Sequence, residues 1–175
     1  QPVFAAEEPK EIESTFSATE NEAEDLASIR FGRNLLVAGN NVIDKSISKG
    51  LLFSFGNQLG LETKSDYTFI AGNIIEFSGE TERDLFVAGN SITISDSAKI
   101  GRDTFIAGNT ISVNTDLPGD FSAAAAKVVF NDVKIDGNVN LDVADVTFTG
   151  KVEIAGKLIL NDDATVSGLS NAKYA

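Results

Sequence analysis

The chain has 175 residues, 26 acidic and 14 basic, for a net charge of -12, and it contains neither cysteine nor histidine. The charge opposes binding to nucleic acid or to an anionic membrane surface. The two missing residue types exclude disulfides, thiolate nucleophiles, cysteine metal sites, Ser-His-Asp catalysis and the usual catalytic zinc ligand.

The first residues, Gln1-Pro2-Val3-Phe4-Ala5-Ala6-Glu7-Glu8, read like the end of an export signal, with small side chains before a cut and acidic ones after it. The expected location is therefore extracellular or at the cell surface. No apolar run reaches the roughly 18 residues needed to cross a bilayer as a helix. Residues 1–18, with two prolines and many glutamates, form an expected flexible segment. Thr19-Glu20-Asn21-Glu22 fits a helix cap followed by an acidic first turn, and Ala23, Leu26, Ala27 and Ile29 supply an apolar side. A short helix over 19–29 is predicted, packing on or capping the repeat region that begins at residue 30.

From Arg30 onward, short β-branched and aromatic runs are cut by Gly, Asn and Asp, which is strand patterning. One phrase recurs: LLVAGNNV at Gly39, LLFSFGNQL at Gly56, TFIAGNII at Gly72, LFVAGNSI at Gly89 and TFIAGNTI at Gly108, with glycines 17, 16, 17 and 19 residues apart. Asp120 to Ala126 is a degenerate copy with Ala125 in the glycine position. The run from Asn138 is another, and Lys151-Val152-Glu153-Ile154-Ala155-Gly156 begins the last. Such a period predicts an all-β parallel solenoid over 30–168, of about eight turns starting near Asn34, Leu51, Tyr67, Asp84, Asp103, Asp120, Asn138 and Lys151, with a tail over 169–175.

Each turn divides into three strands. In the turn from Asp84 they are Leu85 to Ala88, Ser91 to Ile94 and Ala98 to Ile100, separated by Gly89-Asn90 and Ser95-Asp96-Ser97. The return corner recurs as Gly32-Arg33-Asn34, Glu82-Arg83-Asp84, Gly101-Arg102-Asp103, Gly119-Asp120, Gly137-Asn138 and Gly150-Lys151. The pairs Gly39-Asn40, Gly56-Asn57, Gly72-Asn73, Gly89-Asn90 and Gly108-Asn109 are read as structural corners, glycine because it accepts positive φ and asparagine because its amides can stack into a hydrogen-bonded ladder.

Alternation assigns the inward side chains. On the second strand they are Leu59 and Leu61, Ile75 and Phe77, Ile92 and Ile94, Ile111 and Val113, Val128 and Phe130, Val146 and Phe148. The first strand is apolar at both parities in the early turns. Asn140, Asp142 and Glu153 decide the phase, because none belongs in a dry core. Carried backward, that phase points Leu36, Phe53, Phe55, Phe69, Phe86 and Phe105 outward in a column. Three explanations are open: a cover from the chain's own N-terminal segment through Phe16, Leu26 and Ile29, a lateral contact with another subunit, or a reversed phase with these rings inside.

Asp84, Asp103 and Asp120 recur at the return corner beside Arg33, Arg83 and Arg102. Such a row can gather a cation or raise its own pKa values, but corner hydrogen bonds with alternating Arg-Asp pairing explain the one-per-turn spacing more cheaply. Phosphate-loop and dinucleotide fingerprints are absent from the sequence. The threonines do not align into an ice-binding array, and the repeat near 17 lacks the six-residue beat of the left-handed acyltransferase coils.

The phrases Arg83 to Ile94 and Arg102 to Val113 resemble the repeats of bactofilins and their exported polymer-forming relatives, and the likeness covers about Arg30 to Gly168. The resemblance implies a right-handed parallel β-helix that joins end to end without a nucleotide, as an envelope scaffold. The resulting expectation is a non-enzymatic, cofactor-free structural protein that self-associates through its solenoid ends or its apolar column. A carbohydrate- or surface-binding module is the alternative.

Overall fold

The computed structural model describes residues 26–175, and from Asn34 to Lys173 the chain winds as a parallel β-solenoid of about eight turns. Its strands are β1 (Ala27–Phe31), β2 (Asn34–Asp44), β3 (Leu51–Leu61), β4 (Lys64–Ser65), β5 (Tyr67–Phe77), β6 (Glu80–Thr81), β7 (Leu85–Ile94), β8 (Lys99–Ile100), β9 (Thr104–Val113), β10 (Phe121–Ile135), β11 (Val139–Ile154), β12 (Leu158–Leu160), β13 (Thr165–Ser167) and β14 (Ala172–Lys173). The order β2-β3-β5-β7-β9-β10-β11-β12 is parallel throughout, and β4-β6-β8 make a second small sheet.

Register places Leu35, Leu52, Thr68, Leu85, Thr104, Phe121, Val139 and Leu158 above one another, one per turn. Like side chains thereby stack into interior columns that bury apolar area turn upon turn. On the first side the buried pairs are Leu35/Val37, Leu52/Ser54, Thr68/Ile70, Leu85/Val87 and Thr104/Ile106. On the second side they begin at Val42/Asp44, continue as Leu59/Leu61 and run to Val146/Phe148. Ala98 and Ile100, Leu117, Val133 and Ile135, and Val152 and Ile154 close the third side.

Polar groups interrupt the interior in a few places. Thr104 is fully buried between Leu85 and Phe121, and its hydroxyl has no hydrogen-bond partner. A buried unpaired hydroxyl carries its desolvation cost uncompensated. Thr104→Val therefore raises the unfolding free energy by about 1 kcal/mol, seen as a higher melting temperature with unchanged circular dichroism.

Several expectations need correction. The helix over 19–29 has its first part outside the described residues, as do residues 1–18. Ala27–Phe31 is a strand that doubles back antiparallel on β2, with Ile29 opposite Leu36 and Ala27 opposite Ala38. Gly32, at φ 62°, makes the reversal possible, and β2 offers an open edge that a strand satisfies better than a helix. The last turn begins at Lys157, not Lys151: Val139 pairs with Leu158, whereas Val152 pairs with Val133. Val152 and Ile154 thus lie on the third side, and the return corner is Gly156-Lys157 instead of Gly150-Lys151. Gly150, at φ 67°, marks the second corner of its turn, where β11 bends without breaking. The segment 169–175 is also more than a tail, since β14 within it pairs with Val152 and Glu153 as the third side of the final turn.

The corner glycines serve a different purpose from the one expected. Gly39, Gly56, Gly72, Gly89 and Gly108 are not among the positive-φ residues. A Cβ at Gly108 would lie 2.6 Å from the carbonyl oxygen of Gly89. In these turns glycine keeps the corner clear, because Gly56, Gly72, Gly89 and Gly108 each rest directly on the backbone carbonyl of the preceding corner. The side chains of Asn40, Asn57, Asn73, Asn90 and Asn109 are exposed and make no hydrogen bond among the described residues, so the amide ladder does not form. Where Ala125 replaces glycine, the column continues as the buried Val143 one turn later.

Candidate functional site

The outer surface of the first side is set by the inward phase, because alternate residues on a strand leave on the opposite face. Leu36, Phe53, Phe69, Phe86 and Phe105 share one register column, and each is half-buried or exposed. Phe55 stands two residues along from Phe53, in the parallel column of Ala38, Ala71, Ala88, Ala107 and Ala124. A phenylalanine ridge thus borders an alanine floor. Together they form an open groove of about 680 Å³, apolar from Phe53 to Ala107 and ending on Ser122, Asn140 and Asp142.

The strand spacing of about 4.8 Å dictates how the rings meet. Phe53 and Phe69 have centroids 5.1 Å apart, Phe69 and Phe86 4.7 Å, and Phe86 and Phe105 5.0 Å, with interplanar angles of 16°, 3° and 9°. Each inner ring turns its faces to its neighbours and its edge to the groove. A bound molecule consequently meets ring edges and alanine methyls. Phe55 and Phe105 remain 39% exposed, and Ile29 and Phe31 extend the exposed apolar surface onto β1 at 58% and 45%.

Leu26 and Ile29 are themselves exposed, at 41% and 58%. Ile29 stands opposite Leu36, its cross-strand partner in the first turn, and β1 pairs with β2 alone. Of the self-cover expected from Phe16, Leu26 and Ile29, only Phe16 falls outside the described residues.

The return-corner carboxylates are consumed by the backbone. Asp84 Oδ1 accepts the Asp103 amide at 3.2 Å, Asp103 Oδ1 the Asp120 amide at 2.9 Å, and Asp120 Oδ1 the Asn138 amide at 2.7 Å; Asn138 Oδ1 then accepts the Lys157 amide at 2.9 Å. Asn34 does the same for Leu51 at 2.9 Å. Each side chain satisfies a donor that the corner leaves outside the sheet ladder. This axial chain was only partly legible in the sequence, where the recurrence of Asp and Asn was visible but the atom accepting each bond was not. No cluster of three metal-ligating residues occurs among the described residues.

Of the neighbouring arginines, Arg102 grips Asp84 with two bonds, Nε to Oδ1 at 3.0 Å and a terminal nitrogen to Oδ2 at 2.8 Å. Arg33 reaches Asp66 at 3.8 Å, and Arg83 lies over the Tyr67 ring at 5.8 Å. Asp84 is only 7% exposed, so its loss strands both the Arg102 fork and the Asp103 amide. Asp84→Ala lowers stability by about 2 kcal/mol, and Asp84→Asn, which keeps one acceptor oxygen, by less; chemical denaturation of the two variants checks the order.

A second charged cluster surrounds the later corners, where Asp132, at φ 51°, accepts the Lys151 amide at 2.9 Å and Asp116 accepts the Lys134 amide at 2.7 Å. Lys151 lies 2.8 Å from Glu153, and this contact holds the Glu153 carboxyl below its ordinary range and the lysine above its own. Lys151 is exposed and Glu153 partly so, and water screens the pair.

No helix among the described residues is long and apolar enough to cross a membrane. Protein-family models, curated proteins and solved structures give no match to this chain.

Proposed function

We propose that the protein is a non-enzymatic structural scaffold, a stiff rod at the cell envelope or surface whose copies join through the ends of the solenoid. The observation that carries this reading is the state of the final turn. β12, β13 and β14 each pair with β11 alone, and the core columns reach the surface there as half-buried Leu158, Leu160, Val166 and Ala172. A parallel edge backed by an open apolar core is a template for another turn. The repeats' resemblance to bactofilins, with the right-handed winding and end-to-end growth this implies, supports the same reading. At the opposite end β1 occupies part of the edge of β2, so growth there requires β1 to be displaced or to be paired in its turn.

Sedimentation velocity over a concentration series tests the proposal, with electron microscopy of any heavy species. Heavy species that grow with concentration and vanish in Leu160→Asp are the expected result. A monomer at every concentration overturns it.

The groove favours a second reading, a surface-binding module. Sugars pack against the faces of aromatic rings, and the inner faces of this stack are already taken by neighbouring rings. The groove therefore suits an apolar occupant better than a carbohydrate.

A further inference from the structure

We infer that the groove is a docking site for residues 1–25 of the same chain, which lie outside the described part, with Phe16 seated against the alanine floor beside the ring edges of the phenylalanine ridge. Three observations converge on this occupant. The first is where the segment is tethered. Leu26 immediately precedes Ala27, and Ala27 pairs with Ala38, the first residue of the alanine column. The chain before Leu26 starts at the upper rim of the groove.

The second is reach. Ala38 and Ala107 are four strand spacings apart, about 19 Å, whereas 25 residues span up to about 80 Å when extended. A compact or irregular path suffices. The third is chemistry. The segment carries Val3, Phe4, Ile12 and Phe16 among eight acidic residues. The groove accepts the apolar set, and its lining holds a single charged residue, Asp142, at the far end.

A second copy is the competing occupant. Two copies meet only at the protein's own concentration. The tethered segment is present at an effective concentration in the millimolar range.

Because the chain has no cysteine, engineered pairs report proximity without background. Ser17→Cys, which leaves Phe16 in place, is combined in the full chain with Ala71→Cys, Ala88→Cys or Ala107→Cys, and with Thr93→Cys on the second side as the control. Mild oxidation at low protein concentration is followed by non-reducing electrophoresis and peptide mapping. An intramolecular disulfide to one or more alanine positions, at least tenfold over the Thr93 control, is the expected result. Equal yields at all four positions, or no crosslink at any, overturn the proposal. Crosslinks that form only between molecules also overturn it and assign the groove to a second copy. As an independent readout, Phe16→Ser in the full chain raises the fluorescence of an apolar dye severalfold if Phe16 covers the groove; an unchanged signal counts against it. These outcomes are separate from the scaffold reading, which depends on the solenoid ends.

Discussion

Gly89→Ala unfolds a substantial part of the solenoid, at a cost of about 3 kcal/mol or more. The added Cβ would sit 2.6 Å from the carbonyl oxygen of Gly72 and 2.8 Å from the Ile75 side chain, and the first of these is backbone that cannot step aside. The corner must open, separating Gly89 from Gly72 above it and disturbing the Gly108 contact below it. Overpacking in a well-filled site costs about 1–3 kcal/mol, and forcing two strands apart adds the ladder bonds beside the corner. Gly60→Ala is the control, because a Cβ there meets nothing within 4 Å. Thermal melting of the two variants should place Gly60→Ala near the parent and Gly89→Ala well below it. Similar melting temperatures would mean that the stacked corners are looser than their geometry requires.

Phe130→Ala lowers stability by about 3–5 kcal/mol. The ring is fully buried between Val113 and Phe148 of the adjoining turns, stacked on Phe148 at 5.7 Å and edge-on to Phe121 of its own turn at 5.2 Å, so truncation leaves a cavity that neither neighbouring turn can fill without shifting. The same change at Phe86 removes a ring of similar size from the outer ridge. Water or the groove's occupant fills that space, and the loss is the stacking on Phe69 and Phe105, about 1 kcal/mol. Denaturant unfolding of both variants separates interior from exterior phenylalanine by this difference. In a solenoid the damage is also local, since each turn touches only its neighbours. Hydrogen exchange should accordingly quicken first in β9, β10 and β11 around Phe130.

The stacked repeat was readable because its period lies in the glycines and in the apolar alternation, and neither needs a partner elsewhere in the chain to be recognised. The phase of the first strand followed from Asn140 and Asp142, whose carbonyl and carboxylate groups cannot be buried unpaired. Glu153 supported the same phase for the wrong reason, since it lies on the third side. The error had a physical source: Lys151 to Gly156 has the same apolar-polar alternation on any side of the coil, and only the pairing of Val152 with Val133 distinguishes one side from another. The helix over 19–29 failed similarly at its described end, where the open edge of β2 outweighs the local preference of Ala27 to Ile29.

For the candidate site, the ridge of Leu36, Phe53, Phe69, Phe86 and Phe105 could be counted off the repeats, whereas the alanine floor, although written in every Ala-Gly pair, gave no signal of its own. Small residues become informative only once the large ones beside them have been placed in space. What the amino-acid order determined by itself was the coil, its inward columns and the recurrence of aspartate at the return corner, because those depend on periodicity along one chain. What only the tertiary structure decided was the function of each corner atom: glycine clearing a neighbouring carbonyl, aspartate accepting the next turn's amide, phenylalanine faces closed against one another. Those are contacts between residues 16 to 19 positions apart, set by how one turn settles on the next.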